Sequence, residues 1–210
     1  MQYTTDDPLI FFDFDGTLVD SLKTIQNTVQ SVEPSFNDDA LSEIQNGNTE
    51  HFIASFNAKH QVNLLKEYGK VASRQQLFPG VKKILKTLAE KHRLFIVSAG
   101  STQGIKECLT INHSEQFITK IIGGDIQSNK AIAMQSILKE YQGMPQMSIL
   151  ISDTTSDIAS AKELGILSIG VTWGSHNQER LKTAEPDKII DQVQQLSLCI
   201  KQLLPTQTSL

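Results

Sequence analysis

Two aspartates follow the first apolar run of the sequence and are well placed to do chemistry. Asp13 and Asp15 stand two residues apart after Leu9–Phe12, and Gly16 follows them. At this spacing in an extended chain, both carboxylates point the same way. An Asp-Gly turn that ends a strand would explain one such carboxylate. Two of them are costly after a buried strand unless something compensates for their charge, and they therefore favour a functional site.

A second polar segment follows the apolar run Leu94–Val97. Ser98, Ala99 and Gly100 come next and lead into a helical pattern. A loop of small residues before a helix can bind an anion through its backbone N–H groups. Taken alone, the segment fits an ordinary Ser/Thr helix cap better.

Three further charged residues lie at predicted element ends. Lys130 is near the start of a predicted helix over Ser128–Tyr141, where a solvated surface lysine is the simpler interpretation. Asp153 and Asp157 follow the apolar run Ile149–Ile151, and they face one way if a helix begins between them. Helix capping is the alternative for these two aspartates.

These features share one location in a parallel sheet, where ligands bind outside the carboxyl ends of the strands. If Asp13, Asp153 and Asp157 converge, carboxylates about 4 Å apart repel by about 4 kcal/mol per pair at an effective dielectric constant near 20. A cation removes that penalty, and oxygen ligands without His or Cys favour Mg²⁺. A metal, a lysine and an anion-binding loop around a carboxylate nucleophile indicate phosphoryl transfer.

The elements that must position these residues alternate between strand and helix. The predicted strands are Leu9–Phe14, Arg93–Ser98, Lys120–Ile122, Ser148–Ile151 and Ile166–Val171. Amphipathic stretches separate most of them, and a last helix is predicted at Val193–Leu203. This alternation predicts an α/β fold, a doubly wound parallel sheet with helices on both faces.

One region breaks the alternation. Ser21–Phe78 has no strand-like run and is too long for a simple crossover. It carries three helical stripes: Leu22, Ile25, Val29 and Val32; Phe52, Ile53 and Phe56; Leu65, Tyr68 and Ala72. We therefore expect a small helical cap domain at 21–78, inserted into a catalytic core formed by 1–20 and 79–210.

With these residues in order, the sequence resembles the haloacid dehalogenase-like (HAD) hydrolases from about Leu9 to Asp191. Four motifs carry the resemblance: Asp13-Phe14-Asp15-Gly16-Thr17, Ser98, Lys130, and Asp153 with Asp157. The stretches Gly170–Gly174 and Pro186-Asp187 resemble the phosphoglycolate phosphatase branch, in which a small helical cap lies between the first two motifs.

The resemblance implies a Rossmann-like core and a role for each motif. Asp13 would attack phosphorus to form an aspartyl-phosphate, and Asp15 would protonate the leaving oxygen and later activate water. Ser98, Ala99 and Gly100 would bind the phosphoryl group together with Lys130. The implied Mg²⁺ ligands are Asp13, Asp153 and the Asp15 carbonyl, with Asp157 assisting directly or through water. Asp15 argues against dehalogenation, because a halide leaves without a proton.

Two motif positions depart from the family pattern. Ser152 stands where relatives usually have Gly, and Ala131 follows Lys130 where Pro is frequent. Lys120 is the fallback for the motif lysine, although a mid-strand position suits it poorly. In the cap, His51, Lys59 or His60 could meet a second anionic group of the substrate, although a solvated polar face is the favoured interpretation of each one taken singly.

Composition limits the other function classes. The 210 residues are 39% apolar and carry 19 basic against 23 acidic groups, a net charge of −4 that argues against a nucleic-acid binder. The longest apolar runs span four residues, which excludes a membrane span. Two cysteines and a polar, acidic start predict a cytoplasmic protein. We also expect a monomer or homodimer.

We therefore expect a Mg²⁺-dependent phosphatase acting on a small phosphomonoester, phosphoglycolate-like or a sugar phosphate. A phosphomutase of the β-phosphoglucomutase type is one alternative, because the same covalent intermediate can be passed to substrate. A non-catalytic HAD-fold regulatory protein is another, although binding alone does not require a general acid beside a nucleophile.

Overall fold

The computed structural model describes residues 8–36 and 49–204, and its centre is one parallel sheet. The strands are β1 (Leu9–Phe12), β2 (Arg93–Val97), β3 (Lys120–Ile122), β4 (Ile149–Ser152), β5 (Leu167–Val171) and β6 (Lys188–Ile190). They pair in parallel in the order β3-β2-β1-β4-β5-β6. The predicted α/β fold class is confirmed. The sequence prediction missed β6, a run of three residues whose first side chain is exposed.

Nine helices of the described ranges surround the strands. They are α1 (Leu22–Val32), α2 (Thr49–His60), α3 (Leu64–Ala72), α4 (Val81–Ala89), α5 (Thr102–Ile111), α6 (Lys130–Glu140), α7 (Thr155–Glu163), α8 (Gln178–Lys182) and α9 (Leu196–Leu203). The predicted last helix starts as a short 3-10 turn, Val193–Gln195. No helix in these ranges has the length and hydrophobicity that a bilayer crossing requires.

The sheet has apolar residues on both faces, as a parallel sheet covered by helices requires. Ile10 and Phe12 of β1 pack with residues of α4, α5 and α9. Leu9 and Phe11 point to the opposite face and pack with residues of α6 and α7. All four of these β1 side chains are fully buried, so the end of β1 is held from both sides.

Helices α1–α3 lie between β1 and β2 in the chain and have an apolar cluster of their own. Its buried members are Val29, Phe36, Phe56 and Leu64. The chain enters and leaves this segment side by side, because Val19 pairs with Leu77 and the Phe78 N–H donates to the Leu18 carbonyl at 2.9 Å. The cap domain boundaries, 20/21 and 78/79, stay a prediction, and residues 37–48 of the predicted cap lie outside the described residues.

Candidate active site

The order of the strands reverses beside β1, and this places a crevice at the carboxyl ends of β1 and β4. The chain passes from β1 to β2 on one side, and β4 pairs with the other side of β1. Asp13 directly follows β1, Asp153 directly follows β4, and the Asp13 N–H donates to the Ile151 carbonyl at 2.9 Å. Open α/β sheets bind ligands at such a reversal point.

Asp13 and Lys130 meet in this crevice. The Nζ of Lys130 lies 2.8 Å from Oδ1 of Asp13, and the Phe14 N–H donates to the same oxygen at 2.8 Å. Burial raises the pKa of Asp13, and the charge of Lys130 opposes that shift. Burial alone would lower the pKa of Lys130, but the charges of Asp13 and Asp157 outweigh it and raise this pKa, so the lysine stays a cation.

The fallback lysine and the predicted cap residues lie elsewhere. Lys120 lies on strand β3 and pairs with Glu140 of α6 at 2.6 Å. Lys59 and His60 each contact Glu33 at 2.9 Å, which favours the interpretation of a polar surface over a substrate contact. The side chain of His51 lies outside the described set. The geometry therefore favours Lys130 as the motif lysine.

Asp157 orients Lys130 from the opposite side. Helix α7 begins at Thr155, between Asp153 and Asp157, which was the condition for the two aspartates to face one way. The Nζ of Lys130 lies 2.6 Å from Oδ2 of Asp157, and the Ser152 hydroxyl donates to the same oxygen at 2.7 Å. Ser152, which replaces the usual glycine of the motif, therefore contributes a hydrogen bond to this buried carboxylate.

Asp153 is fully buried and held through both of its oxygens. The Thr17 hydroxyl donates to Oδ1 at 3.0 Å, and the Ser175 N–H donates to Oδ2 at 2.7 Å. Burial raises the pKa of Asp153, and these hydrogen bonds oppose the shift. Gly16 has a left-handed φ of 75°. A Cβ at Gly16 or at Gly174 would overlap Oδ2 of Asp153, so the backbone packs directly against this carboxylate.

The segment after β5 forms hydrogen bonds with Asp153 and its neighbours. No residue of this segment was predicted as a site residue from the sequence. The buried His176 donates its N–H to the Asp153 carbonyl at 3.3 Å, and its Nδ1 accepts from the Thr155 N–H at 3.1 Å. The Trp173 indole donates to the Thr17 carbonyl at 3.1 Å. The sequence carried no spacing signal for these contacts, because their partners are distant along the chain.

Asp15 is held by a residue of the inserted helices. The Tyr68 hydroxyl, on α3, donates to Oδ1 of Asp15. Burial raises the pKa of Asp15, while hydrogen bonds from Tyr68 and Ser21 oppose the shift. In the sequence, the spacing of Tyr68 predicts only a place in an apolar helical stripe. A signal was available, since a buried tyrosine hydroxyl usually requires a hydrogen-bond partner.

The Ser98–Gly100 loop lies next to Asp15. Ser98 is buried, and its Oγ accepts from the Gly100 N–H at 3.1 Å. A Cβ built on Gly100 would lie 3.4 Å from Oδ2 of Asp15, so the loop and this oxygen face each other. The Gly124 N–H donates to the Gly100 carbonyl at 2.9 Å and fixes the loop from the turn after β3.

The charges of the site fit a divalent cation. Three buried carboxylates, Asp13, Asp153 and Asp157, face one ammonium group, Lys130, and the charges of Asp153 and Asp157 contribute to the raised pKa of Asp13. Over residues 8–36 and 49–204, no three Asp, Glu, His or Cys side chains are arranged to hold a metal by themselves. Mg²⁺ does not require such a cage, because it is commonly bound by one or two carboxylates with waters and substrate phosphate.

The chain belongs to the haloacid dehalogenase-like hydrolase family, whose model matches residues 10–171. This confirms the family predicted from the motifs, and with it the enzyme class, a HAD-type hydrolase.

The chain is similar to several proteins over nearly its whole length. It is 28% identical to a phosphoglycolate phosphatase of Synechococcus elongatus, over 93% of this chain and 98% of the relative. It is 26% identical to the pyrophosphatase PpaX of Listeria welshimeri, over 91% of this chain and 95% of the relative. A haloacid dehalogenase-like family hydrolase from Streptococcus pneumoniae superimposes with a TM-score of 0.78 at 25% identity, covering 94% and 99% of the two chains. These similarities support a phosphohydrolase.

Proposed function

We propose that the protein is a Mg²⁺-dependent phosphatase that hydrolyses a small phosphomonoester through an aspartyl-phosphate on Asp13. The observation that carries the proposal is the position of Asp13 in the crevice, 2.8 Å from Lys130 and two residues before Asp15. A nucleophile, a fixed cation and a neighbouring carboxylic acid supply the groups that phosphoryl transfer from an alcohol requires.

In the first step, the Asp13 carboxylate attacks phosphorus and the bond from phosphorus to the leaving oxygen breaks. Asp15 gives its proton to that oxygen, so the alcohol leaves neutral. In the second step, Asp15 takes a proton from water as the water attacks phosphorus, and the Asp13 carboxylate is released. The raised pKa of Asp15 supports this role, because the residue must hold a proton before the first step.

Lys130 and the Ser98–Gly100 loop bind the phosphoryl group in this proposal. Lys130 is already held between Asp13 and Asp157, so its ammonium group does not have to be reoriented when substrate binds. The loop faces Asp15, and the Ser98 hydroxyl within it is buried.

Asp13, Asp153 and the Asp15 carbonyl would hold Mg²⁺, with Asp157 assisting mainly by fixing Lys130. When bound, the cation supplies neutralisation of charge on the phosphoryl oxygens and on the buried carboxylates. The hydrogen bonds from Thr17 and Ser175 fix both oxygens of Asp153.

The proposed substrate is phosphoglycolate-like, after the name of the Synechococcus relative, or a sugar phosphate, as the sequence motifs also allow. Pyrophosphate is a second candidate, because the Listeria relative is a pyrophosphatase. A small-molecule substrate gives no reason to propose a nucleic-acid or membrane partner. Cytoplasmic location and a monomeric or homodimeric state stay predictions.

The test is phosphate release from a panel of metabolite phosphomonoesters and pyrophosphate, with Mg²⁺ and with EDTA. We expect steady release that EDTA stops and added Mg²⁺ restores, and no release by Asp13→Asn. Acid quenching during turnover of labelled substrate should trap phosphate on the wild-type chain and not on Asp13→Asn. A rearranged phosphate ester in place of steady release would indicate a phosphomutase, and full activity in EDTA would overturn the Mg²⁺ proposal.

A further inference from the structure

The hydrogen bond between Tyr68 and Asp15 joins the inserted helices to the proposed general acid. Tyr68 lies on α3, and its hydroxyl donates to Oδ1 of Asp15. The Gln75 Nε2 donates to the Tyr68 oxygen at 2.9 Å. A hydroxyl has one proton, so with Gln75 donating to it, the proton of Tyr68 points to Asp15.

Oδ1 therefore accepts the Tyr68 hydrogen bond, and this contact favours a proton carried by Asp15 on the other oxygen, Oδ2. Oδ2 is the oxygen that faces the Ser98–Gly100 loop, because a Cβ on Gly100 would lie 3.4 Å from it and 3.5 Å from the Ser98 hydroxyl oxygen. The proton is thus aimed at the region where the phosphoryl group binds in the proposed function.

The position of Tyr68 is itself fixed, through Gln75, by contacts with α5. The Gln75 carbonyl accepts from the Asn112 side-chain amide at 2.9 Å and from the Cys108 thiol at 3.3 Å. Cys108 lies in α5 and Asn112 caps it, and α5 begins at Thr102, two residues after Gly100. One continuous set of contacts therefore runs from α5 through Gln75 and Tyr68 to Asp15.

We propose that Tyr68 is a positioning residue that holds Oδ1 of Asp15 and so presents the proton on Oδ2 to the leaving oxygen of the substrate. The proposal rests on the proposed phosphatase function.

Leaving-group dependence separates this role from a structural one. An alkyl phosphomonoester such as β-glycerophosphate requires a proton on its leaving oxygen, whereas the nitrophenolate of p-nitrophenyl phosphate leaves without one. The ratio kcat/KM reports steps up to the first irreversible one, the release of the leaving group, and excludes the later hydrolysis that both substrates share.

In Tyr68→Phe, we expect kcat/KM for β-glycerophosphate to fall about 10- to 100-fold, part of the usual general-acid contribution. For p-nitrophenyl phosphate we expect a change of less than about twofold by the same argument. Tyr141→Phe is the matched control, because the Tyr141 ring packs on Phe95 away from Asp15, and neither substrate should be affected.

An equal loss for both substrates, or no loss for either, would overturn the positioning role. If Tyr68→Phe does not fold, Gln75→Met replaces it, since this variant leaves Tyr68 in place but removes the donor that orients its hydroxyl. A selective loss for β-glycerophosphate supports the role, and an equal change contradicts it. Failure of the phosphatase function itself is distinct, because wild-type protein would then release no more phosphate than Asp13→Asn from either substrate.

Discussion

The Nζ of Lys130 lies 2.8 Å from Oδ1 of Asp13, and this ion pair joins the first turn of α6 to the end of β1. The lysine side chain is 16% exposed and the aspartate side chain 6%. Removal of one partner from a buried pair leaves an uncompensated charge, which costs far more than an exposed pair is worth. The pair therefore affects stability as well as the proposed catalysis.

Replacement of Lys130 tests this coupling. Lys130→Met leaves Asp13 and Asp157 without their cation, and we expect the free energy of unfolding to fall by about 3–5 kcal/mol. Phosphate release should be lost in the same variant. Urea unfolding followed by circular dichroism measures the first effect.

Lys120→Met is the control for Lys130→Met, because its pair with Glu140 is partly exposed at the surface and such pairs contribute only about 0–1 kcal/mol. Addition of Asp157→Asn to Lys130→Met should restore part of the lost stability and none of the activity. Equal unfolding midpoints for the two lysine variants would contradict the buried-pair argument.

Gly16 is required both by its backbone conformation and by its contact with Asp153. In Gly16→Ala, we expect a left-handed alanine to cost about 1–2 kcal/mol, with a further loss because the new Cβ displaces the Asp153 carboxylate. Gly69→Ala is the matched control, since nothing lies within 4 Å of a Cβ there, and an alanine inside helix α3 should stabilise by roughly 0.5–1 kcal/mol. The urea midpoints of the two variants should thus move in opposite directions, and a midpoint for Gly16→Ala at the wild-type value would refute the argument.

Much of the site could be predicted because parallel strands bring their carboxyl ends to one edge. Asp13, Ser98 and Asp153 directly follow observed strands, and each of the five predicted strands was found with ends within two residues of its prediction. The position of Lys130 was also informative. A lysine in the first turn of α6 opposes the helix dipole, and its two carboxylate partners explain this unfavourable position.

The rest of the site depends on contacts between side chains far apart in the sequence. Tyr68 fits an apolar helical stripe, and periodicity does not show that its hydroxyl meets Asp15. Nothing in local spacing shows that Ser152 bonds to Asp157 while Lys130 occupies the same oxygen. Such contacts are decided by how the helices pack on the sheet, which the pattern of apolar residues fixes only coarsely.

Ser152 stands at a position where its family usually has glycine, and its hydrogen bond to Asp157 should contribute to stability. Ser152→Ala removes a hydrogen bond to a buried charge, which we expect to cost about 1.5–3 kcal/mol. In the Asp157→Asn background the same substitution should cost distinctly less, because the charge is gone. Ser160→Ala is the control, since its hydroxyl bonds to the Ser156 carbonyl on the exposed side of α7. A double-mutant cycle by urea unfolding measures the coupling, and a cycle that closes with no interaction energy would show that the hydrogen bond contributes nothing.

Asp153 provides a test of the cation site that does not depend on turnover. If Asp153 binds Mg²⁺, the ion at ten times its Kd stabilises the wild-type protein by about 1.4 kcal/mol. For a chain of this length, that raises Tm by roughly 3–6 °C. Asp153→Asn should lose most of this shift, because the amide offers no negative charge to the ion. Asp187→Asn should keep it, since Asp187 accepts from the Ser168 N–H near the start of β5, at the opposite edge of the sheet from the crevice. Thermal unfolding with and without Mg²⁺ measures these shifts in Tm. Equal shifts in Asp153→Asn and wild-type protein would show that Asp153 does not bind Mg²⁺.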